Sequence, residues 1–416
     1  MLELYNTMSR RKEVFEPLKD KQVKMFTCGP SIYRRPHVGN YRSFLWEDVL
    51  QRYLEYLGYT VQRVLNFTDV EDKAIAEATQ GGMDIAQLTG RMADQFFKDA
   101  KLLDIKLPAV IPRSSTSVDQ AVKLIKTLLS KGFAYWYEKD VFFDPLKFEG
   151  FGRLYRLDMS QWPKEKKRFK RDTYPGRRWN LGDFILWHGY RAGDAVSWDT
   201  EIGKGRPSWN IQDPAMITEH LGYRIDIACG GIDNLYRHHD YNIAVIEAAS
   251  GVELARYWIH GEHLLADGKK MSKSKGNIVY PEDLIREGCK PRHLRFYLIY
   301  GHHRKTLNMT RNDFRKSRDK LEAFKQLVGE LLRPAGHDPQ PKASYEIARD
   351  LIDRLLAGFE EYMNNDLDVQ GAFDSVFKTV SMLVSMKRKG EVGAVAARKI
   401  GENLRKVDQV LQVVFP

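Results

Sequence analysis

The fold of this chain is decided by residues 23–69, VKMFTCGPSIYRRPHVGNYRSFLWEDVLQRYLEYLGYTVQRVLNFTD. A β-branched and aromatic run ends at Gly29 and Pro30, which predicts a buried strand followed by a loop. From Asn40 the apolar residues recur at helical spacing until Gly58, and a second strand-like run follows. Strand, helix and strand in this order predict a parallel sheet, whose ligands bind beyond the carboxyl ends of the strands.

Beyond this unit, strand and helix patterns alternate with one interruption. Helical spacing at 117–132 precedes an aromatic strand candidate at 133–143. The pattern then weakens through a basic stretch at 164–178, which we expect to be an exposed loop. Strand, helix and strand patterns return at 223–231, 238–251 and 257–265. We therefore expect an α/β protein.

The C-terminal quarter has a different pattern. From about Asp313 to Pro416 the apolar residues recur at helical spacing throughout, interrupted by a Pro- and Gly-rich stretch at 333–344. We expect a separate α-helical bundle, with 333–344 as a loop between two of its helices.

Length and charge limit the class of protein. The 416 residues are enough for two to three domains with a large core. Lysine and arginine number 66 against 55 aspartates and glutamates, which gives a net charge of +11. This surplus is compatible with a polyanionic partner such as RNA, and equally with a basic enzyme that binds no nucleic acid.

The cysteines and the N-terminus indicate the compartment. Cys28, Cys229 and Cys289 form no CxxC pair and no disulfide framework, which favours a reducing environment. The N-terminal residues lack the hydrophobic core of a signal peptide, and no apolar run reaches the roughly eighteen residues that a membrane span needs. We expect a cytoplasmic protein without a membrane partner.

A candidate phosphate site lies at the start of the first predicted helix, in His37-Val38-Gly39-Asn40. Backbone N–H groups at a helix N-terminus attract anions, glycine lets a ligand approach the backbone, and histidine can donate to phosphate oxygens. Taken alone, this short pattern is also typical of an ordinary turn.

A second motif, Lys270-Met271-Ser272-Lys273-Ser274, lies within the charged stretch ADGKKMSKSKGN. Alternating lysine and serine on a loop can follow a polyphosphate whose negative charge grows as the leaving group departs. A solvated lysine loop is the other interpretation of the pentapeptide by itself.

With both motifs in this order, the sequence resembles the class I aminoacyl-tRNA synthetases, whose signatures are written HIGH and KMSKS. It is most similar to the cysteinyl-tRNA synthetases, from about Leu4 to at least Leu331, through FTCGPSIYRRPHVGN, LNFTDVEDK, GRPSWN, DIACGGIDNLYRHHDYNIA and KMSKSKGN. The resemblance implies a Rossmann-like catalytic domain that is split by a connective insertion and followed by a helical bundle. The implied boundaries are 1–110 for the first catalytic half, 111–205 for the insertion, 206–312 for the second half with the KMSKS loop and stem-contact region, and 313–416 for the bundle.

The resemblance also implies a chemistry. ATP with Mg²⁺ activates an amino-acid carboxylate as an aminoacyl-adenylate, which is then transferred to an acceptor. Positioning and electrostatics supply the acceleration, so the reaction needs no covalent nucleophile. The residues implied for these roles are His37, Gly39 and Asn40 at the triphosphate, Lys270 and Lys273 at the transition state, and Gly230, Gly231 and Asp233 at the nucleoside.

The amino-acid end of the site departs from the family pattern. The resemblance implies a zinc that binds the substrate sulfur and is held by two cysteines, a histidine and a glutamate, in keeping with the preference of zinc for sulfur. Here Cys28 and His238 match two of these positions, but Asp213 stands at the second cysteine and Asn242 at the glutamate. A site of Cys28, Asp213 and His238 would bind zinc weakly, so zinc is doubtful.

Other positions of the amino-acid pocket match the family. Thr68 and Trp209 stand at positions that line it, and Gly29 lies in the same motif as the first cysteine, so an amino-acid substrate is expected. The Asp213 carboxylate could instead receive a cationic or hydroxylated side chain, a hypothesis that rests on charge complementarity alone.

Three functions remain open from the sequence. The first is a cysteine–tRNA ligase or a tRNA-charging descendant, supported by the ATP motifs and the basic charge. The second is a related ligase with another amino acid or a non-tRNA acceptor, supported by Asp213, Asn242 and the expected lack of a small anticodon-binding domain after the bundle. The third is a non-catalytic RNA-binding paralogue, which would have no need of His37, Lys270 and Lys273.

Overall fold

The computed structural model describes residues 1–172, 181–272, 276–333 and 341–415. The first region contains a small hairpin, a strand–helix–strand unit and two further helices. Its elements are β1 (Glu3–Asn6), β2 (Arg11–Val14), β3 (Gln22–Thr27), α1 (Val38–Tyr56), β4 (Thr60–Leu65), α2 (Asp72–Gln80) and α3 (Ile85–Leu102). Strands β3 and β4 pair in parallel with α1 between them, which confirms the predicted unit.

The middle region is a second, mostly antiparallel sheet preceded by a helix. Its elements are α4 (Val118–Ser130), β5 (Ala134–Tyr137), β6 (Asp140–Phe143), β7 (Arg168–Phe169), β8 (Asp183–Gly189) and β9 (Gly205–Pro207). The strands lie in the order β5-β6-β8-β7, and β9 also pairs with β8. Helix α4 packs against helices of the region that follows, and both share one hydrophobic cluster.

Two predictions for this region were wrong. The single strand expected over 133–143 is a hairpin, which turns at Glu138 with a φ of 55°. The basic stretch 164–178 is not simply an exposed loop, because Arg168–Phe169 pairs with β8 and Asp172 is buried. Residues 173–178 lie outside the described part of the chain.

The next region completes the parallel sheet. Its elements are α5 (Trp209–His220), β10 (Ile225–Gly231), α6 (Asp240–Ser250), β11 (Ala255–Gly261), β12 (Leu264–Ala266), β13 (Lys269–Lys270), α7 (Pro281–Arg286), α8 (Pro291–Tyr300) and β14 (Leu307–Met309). The sheet order is β11-β10-β3-β4, all parallel. Because the chain passes from β3 to β4 in one direction and from β10 to β11 in the other, a crevice forms beyond the carboxyl ends of β3 and β10. The return strand expected at 257–265 is instead divided between β11 and β12, which belong to different sheets.

The last region is helical, as predicted. It consists of α9 (Arg311–Leu332), α10 (Pro341–Asn364), α11 (Val369–Arg388) and α12 (Ala394–Leu411). Helix α12 packs against α1, so the bundle shares a core with the parallel sheet. Of the loop expected at 333–344, residues 341–344 belong to α10 and 334–340 lie outside the described residues. In the described part of the chain, no helix combines the length and hydropathy of a membrane span.

His303 is buried between the catalytic region and the bundle. It stacks on Trp46 with ring centroids 5.2 Å apart, and neither ring nitrogen has a hydrogen-bond partner among the described residues. Burial, reinforced by His302, Arg304 and Arg42, lowers the pKa of the His303 imidazole well below its ordinary value. The folded protein therefore keeps this ring neutral at a pH where the unfolded chain binds a proton.

We expect this difference to destabilise the protein in acid. Its penalty is absent well above the unfolded pKa of about 6.5 and grows as the pH falls below that value, reaching about 1 kcal/mol near pH 5.5. His303→Phe keeps an aromatic ring against Trp46 but cannot titrate. Urea unfolding at pH 7 and pH 5.5 should show a smaller acid-induced loss in the variant; an equal loss in both proteins would contradict the prediction.

Candidate active site

A cavity of about 210 Å³ opens beyond the carboxyl ends of β3 and β10. Its lining combines residues predicted for both ends of the substrate site: Cys28, Gly29, Thr68, Trp209 and His238 for the amino acid, and Asn40, Gly231 and Asp233 for ATP. A larger cavity of about 560 Å³ lies between α7 and α9, but none of the described residues that line it is a predicted site residue. The smaller cavity is therefore the candidate active site.

The start of α1 carries the residues that the sequence predicts at the phosphate end of the site. His37 is the capping residue: its Nδ1 accepts a hydrogen bond from the Gly39 N–H at 3.1 Å, and the Asn40 Oδ1 accepts one from the His37 N–H at 3.0 Å. Partial burial and the nearby Lys270 ammonium lower the pKa of the His37 imidazole. Because Nδ1 is the acceptor, the neutral ring carries its proton on Nε2 and can donate it to a phosphate oxygen.

Lys270 connects the second motif with the nucleoside end. Its Nζ lies 3.2 Å from Asp233 Oδ2, and both of these side chains are half exposed. A Cβ on Gly231 would lie 2.8 Å from Asp233 Oδ1, and one on Gly230 would lie 2.8 Å from the His239 ring, so these positions accept only glycine without rearrangement. Lys273, the other lysine assigned to the transition state, lies outside the described residues.

Cys28, Asp213 and His238 meet at the other end of the cavity, and we call these three side chains the polar floor. His238 Nε2 lies 2.8 Å from Asp213 Oδ2 and 3.4 Å from Cys28 Sγ, and Cys28 Sγ lies 3.7 Å from Asp213 Oδ2. Burial and the Asp213 carboxylate raise the pKa of the Cys28 thiol well above its ordinary value. The Trp209 indole stacks on His238 with ring centroids 4.2 Å apart. The floor is thus a compact hydrogen-bonded group.

Asp213 is fully buried behind the cavity lining. Its Oδ2 bonds His238 and its Oδ1 accepts a hydrogen bond from Asn66 Nδ2 at 2.8 Å, so both oxygens have protein partners. This geometry does not favour the hypothesis that Asp213 receives a cationic side chain directly.

The zinc that the family implies does not fit this donor set as it is arranged. Two ligands of one tetrahedral zinc, with bonds of about 2.0–2.1 Å to nitrogen and oxygen, are separated by about 3.3 Å. The 2.8 Å between His238 Nε2 and Asp213 Oδ2 is instead a hydrogen-bond distance. Asn242, at the fourth position, is a neutral amide whose buried Oδ1 has no hydrogen-bond partner among the described residues.

Sequence analysis did not single out Asn66, which organises the floor. Asn66 donates to Asp213 and its Oδ1 accepts the Gly29 N–H at 2.8 Å. A Cβ on Gly29 would lie only 1.7 Å from the Asn66 carbonyl oxygen, so this close approach requires glycine. The available signal was the position of Asn66 at the end of a predicted strand, beside the strand that leads to Cys28.

Asp172 was also missed, because it lies in the basic stretch predicted to be solvated. It accepts hydrogen bonds from the Trp209 N–H at 3.2 Å, from Arg206 at 2.9 Å and from His188 at 2.7 Å. Burial alone would raise the pKa of the Asp172 carboxyl, but His188 and Arg206 hold it well below its ordinary value. This carboxylate ties the start of α5, and therefore Trp209, to the middle region.

Trp209→Ala should weaken binding of the amino acid. Removing the indole takes away a wall of the cavity and the ring stacked on His238, and we expect the KM for the amino acid to rise about tenfold while the KM for ATP stays nearly constant. Steady-state pyrophosphate exchange measures both constants. Trp136→Ala, an exposed tryptophan of the β5–β6 hairpin, is the control and should change neither; a larger rise in the KM for ATP than for the amino acid would contradict the placement of Trp209.

The parallel sheet, its crevice and the two phosphate motifs define a nucleotide-dependent α/β enzyme, and comparison with known proteins identifies the family. The chain belongs to the class I tRNA synthetases, because the family description "tRNA synthetases class I (C) catalytic domain" matches residues 14–319. This confirms the resemblance seen in the sequence and makes the protein a ligase that uses ATP.

Individual relatives extend the similarity over almost the whole chain. The chain is 36% identical to a cysteine–tRNA ligase of Chlamydia pneumoniae, over 99% of this chain and 86% of the relative. It is 36% identical to a cysteine–tRNA ligase of Brachyspira hyodysenteriae, over 90% of this chain and 79% of the relative. A solved structure of Mycobacterium tuberculosis methionyl-tRNA synthetase bound by methionyl-adenylate has the same fold, with a TM-score of 0.67 at 14% identity over 94% of this chain and 92% of that one.

Proposed function

We propose that this chain activates cysteine with ATP as cysteinyl-adenylate and transfers the cysteinyl group to tRNA. The observation that carries the proposal is the single cavity in which Asn40 and Asp233, from the ATP motifs, face Cys28 and Trp209. The relatives named cysteine–tRNA ligase support cysteine as the amino acid and tRNA as the acceptor. Among the functions left open by the sequence, a ligase with another substrate or acceptor is not favoured.

In the first step a carboxylate oxygen of cysteine attacks the α-phosphorus of ATP, and pyrophosphate leaves. The His37 Nε2–H, the N-terminus of α1 and the Asn40 amide would bind the triphosphate, and Gly230 and Gly231 at the end of β10 would leave room for the nucleoside. Lys270, which is near both Asp233 and His37, would stabilise the negative charge that builds up on the leaving pyrophosphate. Mg²⁺ enters with ATP and is held mainly by phosphate oxygens.

In the second step a terminal hydroxyl of tRNA attacks the carbonyl carbon of the adenylate, and AMP leaves. The acceptor needs a basic surface, and α9 offers one in the exposed side chains of Arg311, Arg315, Lys316 and Arg318, three of which line the larger cavity between α7 and α9. These cations account for part of the excess positive charge. No step of the proposal passes through zinc.

Two assays test the proposal in sequence. Pyrophosphate exchange into ATP, measured with each of the twenty amino acids, should depend on cysteine. Filter binding of labelled cysteine with total tRNA should then show charging that weakens as salt is added. Activation without charging would support a non-tRNA acceptor, and no exchange with any amino acid would support a non-catalytic paralogue.

A further inference from the structure

The polar floor is bonded internally in a way that occupies the imidazole nitrogen a metal would need. The proton that joins His238 Nε2 and Asp213 Oδ2 at 2.8 Å occupies the nitrogen that a metal would have to bind. The same nitrogen lies 3.4 Å from Cys28 Sγ, so Asp213 and Cys28 both approach the imidazole at Nε2. Ligation would first have to break the bond between Asp213 and His238.

The surroundings hold this arrangement in place. Asn66 fixes Asp213 through its Nδ2 and is itself fixed by the Gly29 N–H, while Trp209 covers the face of His238. Each of these contacts is buried or partly buried, so moving Asp213 away would leave polar groups without partners. The hydrogen-bonded floor is therefore the stable state of these residues.

One further donor lies close by. His239 has a ring nitrogen within 4.8 Å of the ligand atoms of Cys28 and His238. Its Nδ1 bonds His260 at 2.8 Å, and its Nε2 has no hydrogen-bond partner among the described residues. A metal at the polar floor would draw on His239 as a further ligand, which makes His239 the residue to vary in a test.

We infer that this chain binds the side chain of its amino-acid substrate without a metal, on the hydrogen-bonded floor of Cys28, Asp213 and His238 that Asn66 positions. This inference rests on the proposed function, because it concerns the amino-acid end of the same site. Cys28 and His238 line the cavity and meet the substrate side chain, and Asp213 acts from behind them.

A site without zinc should separate cysteine from serine less strongly than a zinc site does. A zinc–sulfur bond separates cysteine from serine strongly, because zinc binds a thiolate and not an alcohol. Serine keeps a hydrogen-bonding group at the same position, so without that bond the two substrates differ only in atom size and hydrogen-bond strength, a difference that changes selectivity by about 100-fold. Serine should therefore be activated within about 100-fold of cysteine, in kcat/KM.

The metal content of the purified full-length chain tests the inference independently of activity. The wild-type protein is expressed with added zinc, and its metal content is measured by inductively coupled plasma mass spectrometry. It should contain far less than one zinc per chain. The double variant Asp213→Cys, Asn242→Glu supplies the sulfur and carboxylate that the floor lacks, and it should bind about one zinc per chain. One zinc per wild-type chain, lost in Cys28→Ser or His239→Ala, would overturn the inference, and this result does not depend on whether the double variant folds.

Pyrophosphate exchange with cysteine and with serine gives the second measurement. Exchange should be unaffected by 1,10-phenanthroline, which removes zinc and leaves Mg²⁺ in place. Serine should support exchange with a kcat/KM within about 100-fold of that for cysteine. Abolition by the chelator, or rejection of serine by more than about 10⁴-fold, would overturn the inference. Lack of exchange with any amino acid would instead contradict the proposed function, and the zinc content would still decide whether the floor is metal-free.

Discussion

Lys270→Ala is expected to slow adenylate formation by about 10²- to 10³-fold while the affinity for ATP changes much less. The lysine lies on β13 with its Nζ 3.2 Å from Asp233, and its ammonium is close enough to His37 at the start of α1 to lower the pKa of that imidazole. Its charge is most useful when negative charge has moved onto the leaving pyrophosphate, so its loss raises the barrier more than it weakens the ground-state complex. Single-turnover adenylate formation and equilibrium ATP binding, measured on the same preparation, give the two quantities.

Lys269→Ala is the matched control for this experiment. Lys269 is the exposed neighbour on the same strand, and successive side chains of a strand point to opposite faces. Its removal changes the net charge equally and should leave the rate of adenylate formation nearly unchanged. An equal loss of ATP affinity and of rate in Lys270→Ala would show that the lysine binds ATP uniformly and has no special role in the transition state. For Lys273 the same expectation rests on the sequence alone.

The second large effect concerns stability. Arg295, on α8, is completely buried and joins three parts of the molecule. Its guanidinium bonds the Asp48 carboxylate of α1 at 2.6 Å and the Leu411 carbonyl at the end of α12 at 2.7 Å. It also donates to the Leu103 carbonyl after α3 at 2.9 Å. This side chain therefore fastens the helical bundle to the catalytic region.

Arg295→Met should destabilise the folded protein by about 2–4 kcal/mol, because several buried carbonyls lose their donor and the Asp48 carboxylate keeps only Arg52 and the Lys106 N–H as partners. Chemical unfolding followed by circular dichroism measures the difference. Arg292→Met, a half-buried arginine on the same helix, is the control and should lie within about 0.5 kcal/mol of the wild type. If Arg295→Met cannot be purified, Arg295→Lys keeps the charge and should show a smaller loss; equal stabilities of the Arg295 and Arg292 variants would refute the assignment.

Several elements of the fold and site could be predicted because their signals are local. The spacing of apolar residues after Asn40 predicted α1, and the His37–Asn40 pattern coincides with its capped start. The hairpin at 133–143 escaped prediction because both of its strands are aromatic and its turn contains no glycine or proline. The burial of Asp172 was not predicted because this residue stands within a run of lysines and arginines. Its partner Arg206 is 34 positions further along the chain.

The sequence by itself determined the parallel α/β architecture, the helical C-terminal region and the two motifs that we assign to ATP, since periodicity and short motifs are properties of neighbouring residues. It also showed that Asp213 and Asn242 depart from the family. Only the tertiary structure decided what that departure means, because Cys28 and His238 are separated by 210 positions and Asp213 by 185 from Cys28. The distances among these side chains depend on how β3, α5 and the turn after β10 pack together, and that packing makes Asp213 and His238 a hydrogen-bonded pair.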